Sequence, residues 1–265
     1  MNRIIRESCK TLRQLGRQSF QGHWTEAIIF ALVCRLILQG PSIIFNFLPS
    51  SLQTQMLASL LSFYNFVING PITLSLTHYM VRMFRQEPHV ATESRLSYGF
   101  KNFTRAMVLY ITMTLITGLL TMLFIIPGLF AALNYSQAFF LLEDNPMKMP
   151  MQCMRESKFI MRGNRIKFVS LLFSFAPWYI LANVPASVCH IVLDYDSIIA
   201  LNTAINQGSF MAAVDSVVAV NPLVDVLLLL NVVVSVYIFS ARCAFFDILA
   251  GKLEIRQYVE PIYEA

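Results

Sequence analysis

Charge is the scarcest resource in this chain. Only 13% of its 265 residues are charged, against about a quarter in an average soluble domain. Hydrophobic residues make up 56%, and the mean hydropathy is +0.59. A surface that poor in charge excludes water as the main solvent and points to lipid. Basic residues are missing from long stretches: none lies between Arg35 and Arg82, and none between Lys167 and Arg242. That spacing argues against a nucleic-acid partner, which would need Lys and Arg gathered on one face. Cysteine is sparse too. Cys9, Cys34, Cys153, Cys189 and Cys243 are odd in number and never form a CxxC pair, so neither a disulfide framework nor a zinc site is expected. They read instead as small apolar residues. His23, His78, His89 and His190 have no metal-ligand spacing, and no HExxH, GxSxG or Walker loop is present. No catalytic set, metal or cofactor is therefore expected, and the chain reads as a non-enzyme. Met147, Met149, Met151 and Met154 cluster without accompanying histidines and read as apolar filler rather than a soft-metal site.

What charge there is falls in a pattern. Five Lys or Arg lie from Arg3 to Arg17, five from Arg82 to Arg105, six from Lys148 to Lys167 and three from Arg242 to Arg256. Only Arg35 stands apart. Cytoplasmic loops of membrane proteins carry the excess of Lys and Arg, so an even number of crossings must separate successive clusters. The predicted fold class is an all-α membrane protein, a bundle of about six transmembrane helices with basic amphipathic helices on the cytoplasmic side. The spans are expected at about 24–48, 56–81, 106–126, 129–142, 168–193 and 222–246, within a single integral membrane domain over 1–265. Both termini would be cytoplasmic. Residues 106–142 are apolar except at Ile125-Ile126-Pro127-Gly128. One crossing there would put the Lys148–Lys167 cluster outside, whereas two return it, with Pro127-Gly128 as the outer turn and spans that are short for a bilayer. Residues 194–221 form the sizeable outer loop, and Pro177 and Pro185 are expected to kink the fifth span.

The N-terminus lacks the pattern of a cleavable signal. In residues 1–22, Arg3, Arg6, Lys10, Arg13 and Arg17 recur at three- and four-residue steps and share one helix face, opposite Ile4, Ile5, Leu12 and Leu15. Such a helix suits the lipid–water interface, with anionic headgroups of membrane lipids as partners. Met147 to Arg165 repeats this design, and Gly22 can be laid over Gly163 in a thin internal similarity.

Arg35 is the first candidate site. It lies nine residues past Glu26, about 14 Å along a helix, which is near the membrane midplane. Because a central Arg is costly in lipid, it should face the bundle and be paired with Asn65 or Asn69, with a carbonyl freed by Pro71, or with Asp225. Two roles fit: an anion or lipid-phosphate contact in a cavity, or a structural Arg satisfied by carbonyls. The binding candidates are thus Arg35, Asn69 and Asp225. Glu26 reads as a first-turn acid opposite the helix dipole, and His78 as a solvated interface histidine.

Several short motifs carry a family resemblance. They are Gly22-His23-Trp24, Gly70-Pro71-Ile72-Thr73-Leu74, Gly99-Phe100-Lys101-Asn102-Phe103, Ile125-Ile126-Pro127-Gly128, Asn145-Pro146, and Ser157 through Met161-Arg162-Gly163-Asn164. With these, the chain resembles a bacterial, Firmicutes-type family of integral membrane proteins, domain-of-unknown-function family nine-seven-five, from residue 12 to about 180. It is more distantly similar to the membrane portion fused to some bacterial glycerophosphodiesterases. The resemblance implies a bacterial cytoplasmic membrane and a setting in envelope or lipid metabolism, and it carries over no site residue. The expected role is lipid or small-solute handling or transport, built from broken helices around a polar site. The alternatives are an accessory, immunity or scaffold protein of an envelope complex with a protein partner, and last an intramembrane enzyme.

Overall fold

A chain surrounded by lipid has to satisfy its backbone polar groups internally, which leaves long apolar segments only the helix. The structure, a computed structural model, describes residues 4–47, 55–86, 92–193 and 231–253. Among these residues the regular elements are all helices: α1 (Cys9–Ser19), α2 (Trp24–Phe47), α3 (Gln55–Phe84), α4 (Thr92–Lys101), α5 (Phe103–Leu123), α6 (Ile125–Tyr135), α7 (Ala138–Asp144), α8 (Pro150–Ile160), α9 (Arg165–Phe173), α10 (Ala176–Leu193) and α11 (Asn231–Leu249). Six stretches are long and apolar enough to cross a membrane: Trp24–Asn46, Gln55–Phe84, Phe103–Leu123, Ile125–Asp144, Arg165–Pro185 and Asn231–Leu249. The protein is a multi-pass α-helical membrane bundle. The expected Pro49-Ser50-Ser51 turn, the 194–221 loop and the start of the sixth span lie outside the described residues.

The turn expected at Pro127-Gly128 falls earlier. Helix α5 stops at Leu123, Phe124 alone is extended (φ −154°, ψ 137°), and Pro127 and Gly128 belong to the first turn of α6. Proline is tolerated there because first-turn N–H groups have no intrahelical partner to lose. Gly128 is needed for closeness, since a Cβ at this position would overlap Thr121 of α5.

Two of the six stretches are broken, and in both cases side chains from elsewhere take the freed carbonyls. The break between α6 and α7 exposes Asn134 O, which accepts from Ser157 Oγ at 2.6 Å, and Ser136 O, which accepts from Arg242 Nη2 at 3.1 Å. Between α9 and α10, just ahead of Pro177, Ser174 O accepts from Arg13 Nη1 at 3.1 Å. Pro41 within α2 lacks the N–H that would bond Ile37 O, and the Tyr64 hydroxyl donates to that carbonyl at 2.9 Å. Asn183 of α10 and Asn231 of α11 exchange two side-chain hydrogen bonds of 3.2 and 3.0 Å. Such polar pairs in model membrane proteins hold helices together by about 0.6–2 kcal/mol.

Helix α1 packs its apolar face against the rest of the bundle. Its apolar face, Leu12 and Leu15, is buried in the common core with Ile5. Gly16 comes so close to α11 that a Cβ would stand 2.8 Å from the Ala241 nitrogen. Leu12 and Leu15 are thus spent on the bundle, while Ile4, Arg6, Lys10 and Arg17 remain exposed. The turns after α1 and α8 share one local geometry: Gly22 and Gly163 have φ of +84° and +82°, values that favour glycine. Asn164, next to the second of these, accepts the Ile5 N–H at 2.9 Å and ties that turn to the segment ahead of α1.

Candidate functional site: a polar groove at Arg35 and a charged junction

Helices α2 and α3 run side by side with a polar groove of about 470 Å³ between them. Arg35, Leu38, Gln39, Ser42, Ile43 and Asn46 line one wall, Asn65 and Asn69 the other. Spacings of three and four place the α2 residues on a single face. From Arg35 to Asn46 the stripe is about 16 Å long at 1.5 Å per residue. Arg35 and Asn69 sit near the middle of their helices, so the groove starts at mid-helix and runs toward the α2–α3 connection.

Arg35 is half-buried and donates through Nε to Gln39 Oε1 at 2.8 Å. That partner is one turn along its own helix and was not among those expected. Asn69 lines the groove but donates to its own helix at Asn65 O, 2.9 Å away, while Asn65 Nδ2 lies 3.4 Å from Ser42 Oγ. The guanidinium is therefore held by a neighbour on α2 and faces the amides of α3 across an open space. Asp225, the third candidate, lies outside the described residues. Gln39, Ser42 and Asn46 were missed from sequence, although their i, i+4, i+7 and i+11 register from Arg35 is visible there.

A second polar cluster lies past the opposite end of α3 and ties it to α7 and α11. Just past the end of α3, Arg85 bonds Asp247 of α11 through Nε (3.0 Å) and Nη2 (2.5 Å), and reaches Asp144 at the end of α7 at 2.8 Å. Lys252 Nζ donates to the same Asp144 at 2.8 Å. Burial favours the neutral form of Arg85, but hydrogen bonds and charge from Asp247 and Asp144 outweigh it, and the guanidinium holds its proton more tightly than usual. One layer in, His78 Nδ1 lies 2.6 Å from Glu143 Oε1, both side chains almost wholly buried. The His78 ring stacks on Tyr98 of α4 with centroids 3.7 Å apart. Burial, then the Glu143 charge, pushes the Tyr98 phenol up from its ordinary range. His78 is thus no solvated interface histidine: burial demands a partner, and Glu143 supplies it.

Arg242 also departs from its expected place among the flanking basic residues. It lies within α11, seven residues before the helix ends, with its guanidinium 5.3–5.9 Å from the ring centres of Phe239, Phe140 and Phe168. Delocalised charge stacked on aromatic faces can be buried at tolerable cost. The Met147 group is divided: Met147, Met149 and Met151 are exposed and Met154 is buried. Among the described residues, no three His, Cys, Asp or Glu side chains gather as a metal site would require.

The class is therefore a helical integral membrane protein with one polar groove and one buried charge junction. Residues 4–129 match the family described as protein of unknown function (DUF975). The match covers the first span, the groove and the hairpin turn at Phe124; the Asn145-Pro146 and Ser157–Asn164 motifs lie beyond it. No curated protein and no solved structure matches the chain.

Proposed function

We propose that the protein binds a phosphate-bearing ligand, lipid headgroup or small solute, in the groove at Arg35 and moves it between the membrane's middle and its outer side. The observation that carries this reading is the polar stripe of α2 facing Asn65 and Asn69. A guanidinium surrounded by amides and a hydroxyl offers donors for an anion's oxygens. The chemistry suits binding and passage rather than catalysis. Pro41 falls within the α2 wall of the groove and Pro71 lies two residues past Asn69 on α3, and proline-interrupted spans around a mid-membrane site are a pattern of transporters. The proposed setting is a bacterial cytoplasmic membrane, with anionic headgroups at the exposed basic residues of α1. Both termini face the cytoplasm in this arrangement, and an alkaline phosphatase fused after Gly128 should be active. An inactive enzyme there, with a cytoplasmic reporter active instead, reverses the orientation.

Two arms separate the ligand sources in proteoliposomes: uptake of labelled inorganic phosphate, and flipping of spin-labelled phosphatidylglycerol. One arm should depend on the protein, and Arg35→Gln should lower that rate about tenfold or more, as expected for loss of a charge-assisted hydrogen bond worth about 1.5–3 kcal/mol. No protein-dependent signal in either arm, or a signal indifferent to Arg35→Gln, overturns the reading.

A further inference from the structure

The chain has two tryptophans, Trp24 and Trp178, and the fold brings both to one cavity. It holds about 360 Å³ and lies where the end of α1 meets the starts of α2 and α10 and the flank of α11. Arg17, Trp24 and Trp178 line it together with Val233, Val234 and Tyr237. The register is set by Arg13, whose Nη1 donates to Ser174 O and whose guanidinium lies 5.9 Å from the centre of the Phe175 ring. One turn further on, Arg17 comes level with Trp178. Tyr237 meets the Trp24 ring edge-on at 6.0 Å and the Phe175 ring at 4.9 Å, which fixes the inner wall. The outer wall is open: Trp178 and Val233 each expose about half of their surface.

Burial along α11 gives the cavity's level. From Ser240 to Leu249 nearly every residue is buried, whereas Val233 and Ser235 are exposed. Tyr237 thus stands where the protein-covered half of the helix gives way to the half left to lipid. Trp and Tyr rings gather at such boundaries, where one end of the ring is apolar and the other wet. The cation at this level is uncommitted: Arg17 is exposed and has no hydrogen bond, ion pair or ring contact among the described residues. The cavity wall carries no acid. We propose that the cavity seats one anionic phospholipid, its phosphate on the Arg17 guanidinium and one acyl chain between Trp178 and the Val233–Val234 edge of α11. Guanidinium donors match phosphate oxygens in pairs, and the chain covers apolar surface that the helices leave open. A net negative headgroup is favoured because nothing acidic on the wall answers a choline or ethanolamine ammonium. This seat rests on the reading that the exposed cations of α1 meet headgroups, and narrows it to one residue and one cavity. It is separate from the polar groove, since Trp24 is about 16 Å along α2 from Arg35.

Because both tryptophans line the cavity, their fluorescence reports its occupant. The full chain is reconstituted in phosphatidylcholine bilayers, and phosphatidylglycerol or phosphatidylcholine with brominated chains is mixed in at increasing fraction. Brominated phosphatidylglycerol should quench at a fraction about fivefold lower than brominated phosphatidylcholine, the factor for one cation at an anionic headgroup. Arg17→Gln should bring the two lipids together, and Arg17→Lys should keep most of the difference. Lys10→Gln removes an exposed cation of the same helix that does not line the cavity, and should leave the difference intact. Glycerophosphate, which carries the phosphate without a chain, should not relieve the quenching. Equal quenching by the two lipids in the wild type, a difference that survives Arg17→Gln, or one lost equally in Lys10→Gln overturns the seat at Arg17. Relief by glycerophosphate overturns the lipid as occupant. The wild-type comparison and the glycerophosphate arm need no variant, so they decide the matter should Arg17→Gln fail to fold. The Arg35-dependent transfer should run at the wild-type rate in Arg17→Gln, so failure of the groove and failure of this seat are read separately.

Discussion

Asp247→Ala should lower the heat stability of the detergent-solubilised protein by about 6–12 °C. Asp247 is almost fully buried and takes two hydrogen bonds from Arg85, at 3.0 and 2.5 Å. Removing one member of a buried pair leaves the other charge without its counter-ion, at a cost of about 3–5 kcal/mol. Asp144 stays beside Arg85 at 2.8 Å, so the loss falls near the lower end, about 3 kcal/mol. For a chain of this size each kcal/mol moves the midpoint by roughly 2–4 °C. The backbone at the α11 end is untouched, because Lys252 N and Leu253 N bond the Asp247 carbonyl rather than its side chain. The double change Arg85→Leu with Asp247→Leu separates charge from packing: it removes both ions and should recover much of the loss. The measurement is the midpoint of heat-induced loss of the monodisperse peak. An unchanged midpoint for Asp247→Ala shows that the junction of α3, α7 and α11 does not depend on this pair.

The spans were legible because lipid leaves a long apolar segment few options, and the hydropathy of 24–48 or 222–246 needs no knowledge of neighbours. Of the breaks within spans, the one at Ser174 was signalled by Pro177 just beyond it, and the other was not. Ser136 is an unremarkable helix residue, and the carbonyls freed there are taken by Ser157 and Arg242 from distant parts of the sequence. Charge position misled for a related reason. Arg242 reads as a flank of the last span, but α11 continues seven residues further to Leu249, and three aromatic rings make its burial tolerable. Arg35 and Asn69 stood out because ionisable and amide side chains are expensive in lipid and so rarely placed there idly. The charge junction went unseen because Glu143, Asp144 and Asp247 look like ordinary acids at span ends. The signal that could have found them is their level: the fourth and sixth spans end in acids where the second ends in Arg82 and Arg85. The basic N-terminal helix was legible as amphipathic, but periodicity cannot tell a face buried in lipid from one buried on α11.

Gly99→Leu should do more damage than its short helix suggests. A Cβ at Gly99 would overlap the Pro71 carbonyl oxygen and stand 2.8 Å from its carbon, and these are backbone atoms that cannot swing aside. The contact is locked by Ser75, whose hydroxyl donates to Leu96 O at 2.8 Å and accepts from Gly99 N at 3.0 Å. Glycine is therefore required here for close approach, not for an unusual φ. Any side chain must push α4 off α3, at about 1–3 kcal/mol for overpacking and about 1 kcal/mol for each hydrogen bond broken. Pro71 holds the other half of the contact: its ring takes the place of an N–H, and its own carbonyl is what Gly99 rests on. The two motifs, Gly70-Pro71 and Gly99-Phe100, are thus halves of one packing joint. The consequence reaches the cleft between α2 and α4, because α4 supplies Arg95 and Phe100 to its wall. Gly99→Leu should lower the heat-stability midpoint by roughly 6–20 °C, at 2–4 °C per kcal/mol, while leaving the Arg35-dependent rate less affected. Gly99→Ala, the smallest test, should show the same direction because the clash is with the Cβ itself. A Gly99→Ala protein with the wild-type midpoint would mean that α3 and α4 are free to part, and that the joint between the two motifs is not what holds α4 in place.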